Sequence, residues 1–279
     1  LRPSRAEAGI AAGWWRIRRQ AADEAGTSAD RLPEQIPDVA GVARPVRSWA
    51  YAPATYVLVG VNMAVFLSMV FNGVAWTNPT GEQLLRWGAN NPTLVVLYGE
   101  WWRVVTAMFV HAGMIHLLSN MWCLWNLGLL GEPLLGPAGV LVAYVLTGAA
   151  GNLLSIGVNL AFRTDSVGAG ASGAVFGLAG VLIVLLKSPQ LEKRLPAKEL
   201  RSLRLVVILF AGISLTLGFA QNAFTTGVTI DNMAHLGGFL GGLLFALPLL
   251  PLPAVPREVF LLRRRVATGL LSGVLVLFG

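Results

Sequence analysis

Gly170-Ala171-Ser172-Gly173 sets a serine between glycines at the head of an apolar run that continues to Leu186. A second apolar run begins after Asp231 and carries His235 one turn in. A third carries His116 and Asn120, four residues apart and therefore on one helix face. Serine, histidine and an amide are the parts of acyl transfer: a nucleophile, the base that activates it, and donors for the oxyanion. With each part on a separate apolar helix, the residue types read as serine-type peptide hydrolysis inside a bilayer.

Each of these residues also has a plainer use. Ser172 could cap the start of its helix, and His235 could pack or relay protons. His116 with Asn120 could serve as polar glue between helices. Asp231, four residues before His235, could complete a triad or cap a helix start. Ser119, Ser155 and Ser214 are expected to bond to backbone carbonyls. No H-E-x-x-H occurs and the histidine pair lacks an acidic third ligand, so neither a metal nor another cofactor is expected. The single cysteine, Cys123, lies in an apolar run and offers neither a disulfide framework nor a zinc site.

The elements that must position these groups are membrane helices. Of 279 residues, 55% are hydrophobic and only 13% charged, where soluble domains carry about 25% charged residues. Seven apolar runs lie near 55–76, 114–130, 139–160, 170–186, 205–220, 233–252 and 266–279. A hydrocarbon core about 30 Å thick takes about 20 helical residues, so the first, third and sixth are full spans and the others are short. Residues 1–53 are polar and basic without sustained apolar period, as expected of a mobile cytosolic tail. Within it, Trp14-Trp15-Arg16-Ile17-Arg18-Arg19 suits an anionic membrane surface. The chain opens on Leu1 and stops within an apolar run at Gly279, as a trimmed product or fragment would. The connection 77–113 is too long to be slack, and its Trp and Leu content suggests interfacial helices.

Charge sets the expected orientation. All but Arg86, Arg103 and Arg163 of the 21 basic residues fall in the tail and in the connections 187–204 and 253–265, on one side of the membrane. The positive-inside rule puts that side, and the N-terminus, in the cytosol. Spans two, four and six then run inward from outside, and His111, His116, Asn120, Ser172 and His235 all sit at or near their first turns. They gather at one depth in the outer half of the membrane. Gly170 to Leu186 spans roughly 25 Å, so Lys187 at the cytosolic face leaves Ser172 below the outer surface, in a cavity open to water. Gly173, Gly177 and Gly180 on span four, with Gly237, Gly238, Gly241 and Gly242 on span six, allow close approach. Gly238 and Gly242 lie three and seven residues after His235, on the histidine face.

The run Trp102-Arg103-Val104-Val105-Thr106-Ala107-Met108-Phe109-Val110-His111-Ala112-Gly113-Met114-Ile115-His116-Leu117-Leu118-Ser119-Asn120 closely resembles the opening of the rhomboid family of intramembrane serine proteases. Gly170-Ala171-Ser172-Gly173 resembles its G-x-S-G motif, Ala234-His235-Leu236-Gly237-Gly238 its histidine segment, and Glu132-Pro133-Leu134-Leu135-Gly136 its E-x-x-x-G turn. The matches keep the family's order over about residues 54–252. The resemblance implies an all-α polytopic membrane protein, a rhomboid-like six-helix bundle of bacterial type, with residues 253–279 supplying a linker and an additional C-terminal transmembrane helix. It implies Ser172 as nucleophile and His235 as general base in a dyad without a required aspartate. His116, Asn120 and the Ser172 N–H would hold the oxyanion, and Gly170 would shape the loop. Phe176 stands where many relatives have a tyrosine stacking on the imidazole. Trp102-Arg103 would be structural, and residues 221–231 would form a lid. Transmembrane proteins would be the substrates and the lipid bilayer the surroundings, at the inner plasma membrane, with no nucleic-acid partner. The rival from another class is a non-catalytic rhomboid-like protein that escorts membrane clients. A transporter is disfavoured, because spans one, three, five and six have no charged residue in their interiors.

Overall fold

The computed structural model describes residues 52–187, 196–224, 231–249 and 257–278. The described residues form helices: α1 Pro53–Phe71, α2 Gly81–Arg86, α3 Pro92–Val96, α4 Arg103–Thr106, α5 Met114–Leu135, α6 Pro137–Phe162, α7 Ser172–Leu185, α8 Ala197–Phe224, α9 Asn232–Ala246 and α10 Arg257–Phe278. A 3-10 turn, Leu247–Leu249, extends α9. Each of the seven apolar runs has its helix. Among the described residues, three helices, α1, α6 and α9 with its 3-10 turn, are long and apolar enough to cross a membrane. These are the first, third and sixth runs, the full spans expected from length.

Two boundaries differ from the hydropathy reading. The connections 187–204 and 253–265 are partly helical, because α8 already runs from Ala197 and α10 from Arg257. Apolar content marks only the part of a helix that meets hydrocarbon, while the backbone ladder continues into polar sequence. The basic side chains of these extensions help end other helices. Arg204 Nε donates to the Leu186 carbonyl at 2.8 Å and Arg264 Nη1 to that of Leu135 at 3.3 Å. Cations thus meet the carbonyl ends of α7 and α5, where the helix dipole is negative.

The start of α1 uses a cap from outside its own sequence. Ala52 precedes Pro53 and has no side chain able to cap. Glu132, buried in α5, accepts from Ala54 N at 3.0 Å, from Thr55 N at 2.9 Å and from Thr55 Oγ1 at 2.7 Å. A carboxylate on otherwise unpaired N–H groups satisfies both partners. Pro133 follows within α5, and Gly136, at φ 74°, turns the chain into α6 at Pro137.

The core is the trio α6, α7 and α9, packed backbone to backbone. A Cβ on Gly238 would collide with the Gly173 carbonyl, one on Gly242 with that of Gly177, and one on Gly151 with that of Ala234. Only glycine permits this approach, and dispersion between backbones replaces side-chain burial as the packing force. Tyr144, fully buried in α6, donates its hydroxyl to Met108 O and accepts from Asn62 Nδ2 on α1, both at 3.2 Å.

The connection before α5 is structured. A capping box between Thr80 and Gln83 starts α2, and the Asn91 side chain caps α3. Arg103 is buried, paired with Glu100 at 2.5 Å, and donates to the carbonyls of Leu85 at 2.7 Å and Ala89 at 3.0 Å. Its guanidinium also lies 4.5 Å from the Trp102 ring centroid. Asn90 pairs with Gly168 as an isolated antiparallel bridge, and Asn152 Nδ2 donates to Val104 O at 2.8 Å. The connection is thereby fixed to α6 and to the segment leading into α7.

Candidate active site

The glycine contacts that bring α7 and α9 together determine which side chains meet at their N-terminal ends. Ser172 is the first residue of α7 and is half-buried. The capping reading does not hold for it: the cap position is Ala171, and no side chain makes a capping hydrogen bond there. The Ser172 hydroxyl is therefore not committed to its own helix. One turn on, the Phe176 ring stacks on the His235 imidazole, with centroids 4.4 Å apart and planes 16° from parallel. The imidazole thus lies against the turn of α7 that Ser172 opens. Phe176 is backed by Phe210 of α8, at 5.7 Å between centroids.

A second group meets the residue before the serine loop closes. Gly170 has φ 125°, a backbone that disfavours any side chain, and donates its N–H to the Ala107 carbonyl at 2.9 Å. A Cβ there would sit 2.6 Å from His116 Cε1, 2.9 Å from His116 Nε2 and 3.7 Å from Asn120 Nδ2. His116 and Asn120, from α5, are thus immediate neighbours of the Gly170–Ser172 turn. Ala112 N donates to His116 Nδ1 at 3.3 Å, which places the ring proton on Nε2, the atom facing the turn. Asn120 donates one amide hydrogen to the His116 carbonyl at 2.9 Å, leaving its second for another acceptor.

His111 sits beneath this arrangement, fully buried in the loop before α5. Ala171 N donates to its Nε2 at 3.4 Å, and its Nδ1 faces the Phe109 carbonyl at 3.3 Å. This pair of partners fits the neutral ring with its proton on Nδ1. A ring that stays neutral is a fixed acceptor for the amide that precedes Ser172.

Asp231 is occupied elsewhere. Its Oδ1 accepts from Ala234 N at 2.9 Å as the cap of α9, and its Oδ2 accepts from Ser155 Oγ at 2.6 Å. Of the two uses open to Asp231, the cap is the one the geometry displays. Ser155 corrects an expectation: its hydroxyl goes to this carboxylate rather than to a backbone carbonyl, because a charged acceptor outcompetes a neutral one already in the helix ladder. Ser119 bonds to Ile115 O at 2.8 Å, as expected of a serine in an apolar helix. Most of the expected lid, residues 225–230, lies outside the described residues.

The sequence-selected residues therefore divide into two sets. Ser172, Gly173, Phe176, His235 and Gly238 come together at the α7–α9 contact, and His111, His116, Asn120 and Gly170 adjoin them. Glu132 does not: it lies sixteen residues beyond His116, roughly 24 Å along α5, and its partners are at the start of α1. Gly242 packs farther down the α7–α9 seam, while Trp102 and Arg103 brace the preceding connection. Asn232 escaped the sequence reading. It is buried, three residues before His235, and that spacing was the available signal.

The fold and this site define a helical protein embedded in a membrane, with a serine and a histidine gathered at one end of its central helices. Residues 98–252, more than half of the chain, match the Rhomboid domain, and the chain belongs to the rhomboid family. It is 33% identical over 199 residues to Rhomboid protease GluP of Bacillus subtilis, covering 71% of this chain and 35% of that protein. It is 34% identical over 173 residues to RHOMBOID-like protein 7 of Arabidopsis thaliana, covering 62% and 50%. With Rhomboid-like protease 5 of Toxoplasma gondii it shares 35% over 176 residues, covering 61% and 19%. The chain thus spans half or less of the length of these relatives.

Proposed function

We propose that this chain is an intramembrane serine endopeptidase that cleaves peptide bonds in or next to transmembrane segments of other membrane proteins. The observation that carries the reading is the His235 ring stacked on the turn of α7 that Ser172 begins, with its hydroxyl uncommitted to capping. Family membership and the relatives named as proteases support the same chemistry.

In this reading His235 Nε2 takes the Ser172 proton as Oγ attacks the scissile carbonyl. The resulting oxyanion is met by the Ser172 N–H, by His116 Nε2–H and by the free Asn120 amide hydrogen. The imidazolium then gives its proton to the departing amine, leaving an acyl-enzyme on Ser172 that water hydrolyses by the same proton route in reverse. Gly170 keeps the turn clear for the oxyanion, and Phe176 orients the base. A substrate must first unwind locally, since a helical carbonyl is already hydrogen-bonded and shielded. Hydrolysis needs water, which suits a site opening to the extracytoplasmic side of the inner plasma membrane with the N-terminus in the cytosol. Residues 54–252 would form the proteolytic core, residues 1–53 the cytosolic tail, and residues 253–279 a linker and seventh span.

A fluorophosphonate probe tests this directly on the detergent-solubilised chain. Wild type should label, while Ser172→Ala and His235→Ala should not, with melting profiles close to wild type. Labelling that survives Ser172→Ala removes the nucleophile. A folded wild type that never labels, alongside a reactive rhomboid control, favours the client-escort alternative.

A further inference from the structure

Among the described residues, buried polar side-chain atoms without hydrogen-bond partners fall on Asn62, Asn90, Asn232 and His235. Asn62 and Asn90 each leave only the carbonyl oxygen open, while their amide nitrogens donate to neighbours. Asn232 leaves both Nδ2 and Oδ1 open though only 4% exposed, and His235 leaves Nδ1 open at 7%. An amide and an imidazole that have lost bulk water are seldom left unsatisfied, and a buried water is a common partner.

The two residues are placed to share one. Asn232 is the first residue of α9 and His235 is three further on, so their side chains lie on one face with Cβ atoms about 5–6 Å apart. One water bridging two hydrogen bonds covers that separation. The neighbouring carboxylate does not serve the ring: Asp231 accepts from Ala234 N and Ser155 Oγ, while His235 Nδ1 has no partner among the described residues.

We infer that Asn232 is a positioning residue for His235, holding a single buried water between its amide and the ring's Nδ1. The water accepts from Nδ1–H and donates to Asn232 Oδ1. This keeps the proton on Nδ1 and leaves the Nε2 lone pair free to receive the serine proton. Phe176 fixes the plane of the ring, and Asn232 fixes its rotation and tautomer. When Nε2 becomes protonated, the same chain of dipoles faces the new charge without rearranging. The inference rests on the Ser172–His235 reading above.

The test uses fluorophosphonate inactivation kinetics with Asn232→Leu, of similar size but apolar, and Asn232→Ser, which keeps an oxygen able to hold the water. The Asn232→Leu variant should show a maximal labelling rate at least about tenfold lower, by analogy with the partners that orient metal-bound histidines, with half-saturation unchanged. The Asn232→Ser variant should label faster than Asn232→Leu. Nitrogen-15 NMR of histidine-labelled wild type should report His235 protonated on Nδ1, with mixed tautomers in Asn232→Leu. Equal labelling of all three proteins, or a wild-type ring protonated on Nε2, overturns the inference. If Asn232→Leu does not fold, the wild-type tautomer and the rate of Asn232→Ser decide. Failure of the dyad reading is separate: wild type would not label, or would label without Ser172.

Discussion

Asp231 illustrates how one residue's partners separate two chemical readings. A triad would need a carboxylate oxygen bonded to His235, yet the hydrogen bonds of Asp231 go to the α9 cap and to Ser155, and His235 Nδ1 is without a partner among the described residues. Asp231→Ala should therefore lower stability by about 1–2 kcal/mol, the usual loss for an N-cap, measured as a lower thermal midpoint. Asp231→Asn, which can still cap, should reduce fluorophosphonate labelling by less than about tenfold, well short of the losses seen when a triad aspartate is changed. His111 makes the complementary point. It stands near a helix start, and its observed use is to accept the N–H of Ala171, a backbone role that side-chain type alone does not reveal.

At the scale of elements, two contacts carry most of the arrangement. Glu132 joins α5 to the start of α1 through three hydrogen bonds. Glu132→Gln keeps the shape but replaces one charged acceptor oxygen with a donor facing other donors. It should cost roughly 2–3 kcal/mol, read as a lower denaturation midpoint, with labelling of the folded fraction retained because the site is distant. The α7–α9 seam is the other contact, where Gly238 abuts the Gly173 carbonyl one residue from Ser172. Gly238→Leu should force the helices apart and abolish labelling even in protein that still elutes as a monodisperse species in detergent. Gly269→Leu on α10, where no neighbour lies within reach of a Cβ, should label at the wild-type rate.

For the whole molecule, the distribution of basic residues should set how the bundle sits in a bilayer. With Cys123 replaced by serine, a cysteine at Ser48 should react with a membrane-impermeant maleimide only after cells are opened. A cysteine at Thr164, exposed in the connection between α6 and α7, should react in intact cells. The reverse pattern would invert the proposed topology and place the site on the cytosolic side. The α10 helix belongs to the same body: it packs on α6 and α9, and Arg264 reaches the end of α5.

Much of this organisation is written locally in the chain. Apolar run length yields the helices, and the three that are long enough to cross a membrane among the described residues follow from counting residues against bilayer thickness. Glycines phased with His235 foretold which helices could touch, because backbone contact needs residues without side chains. Other features depend on groups far apart in sequence. Glu132 meets Thr55 across 77 positions, and Ser155 meets Asp231 across 76. The burial that strands Asn232 arises only when the helices pack. Hydropathy and spacing describe what one helix can present; which donor an acceptor finds is settled by the packing of several, and that only the tertiary structure decides.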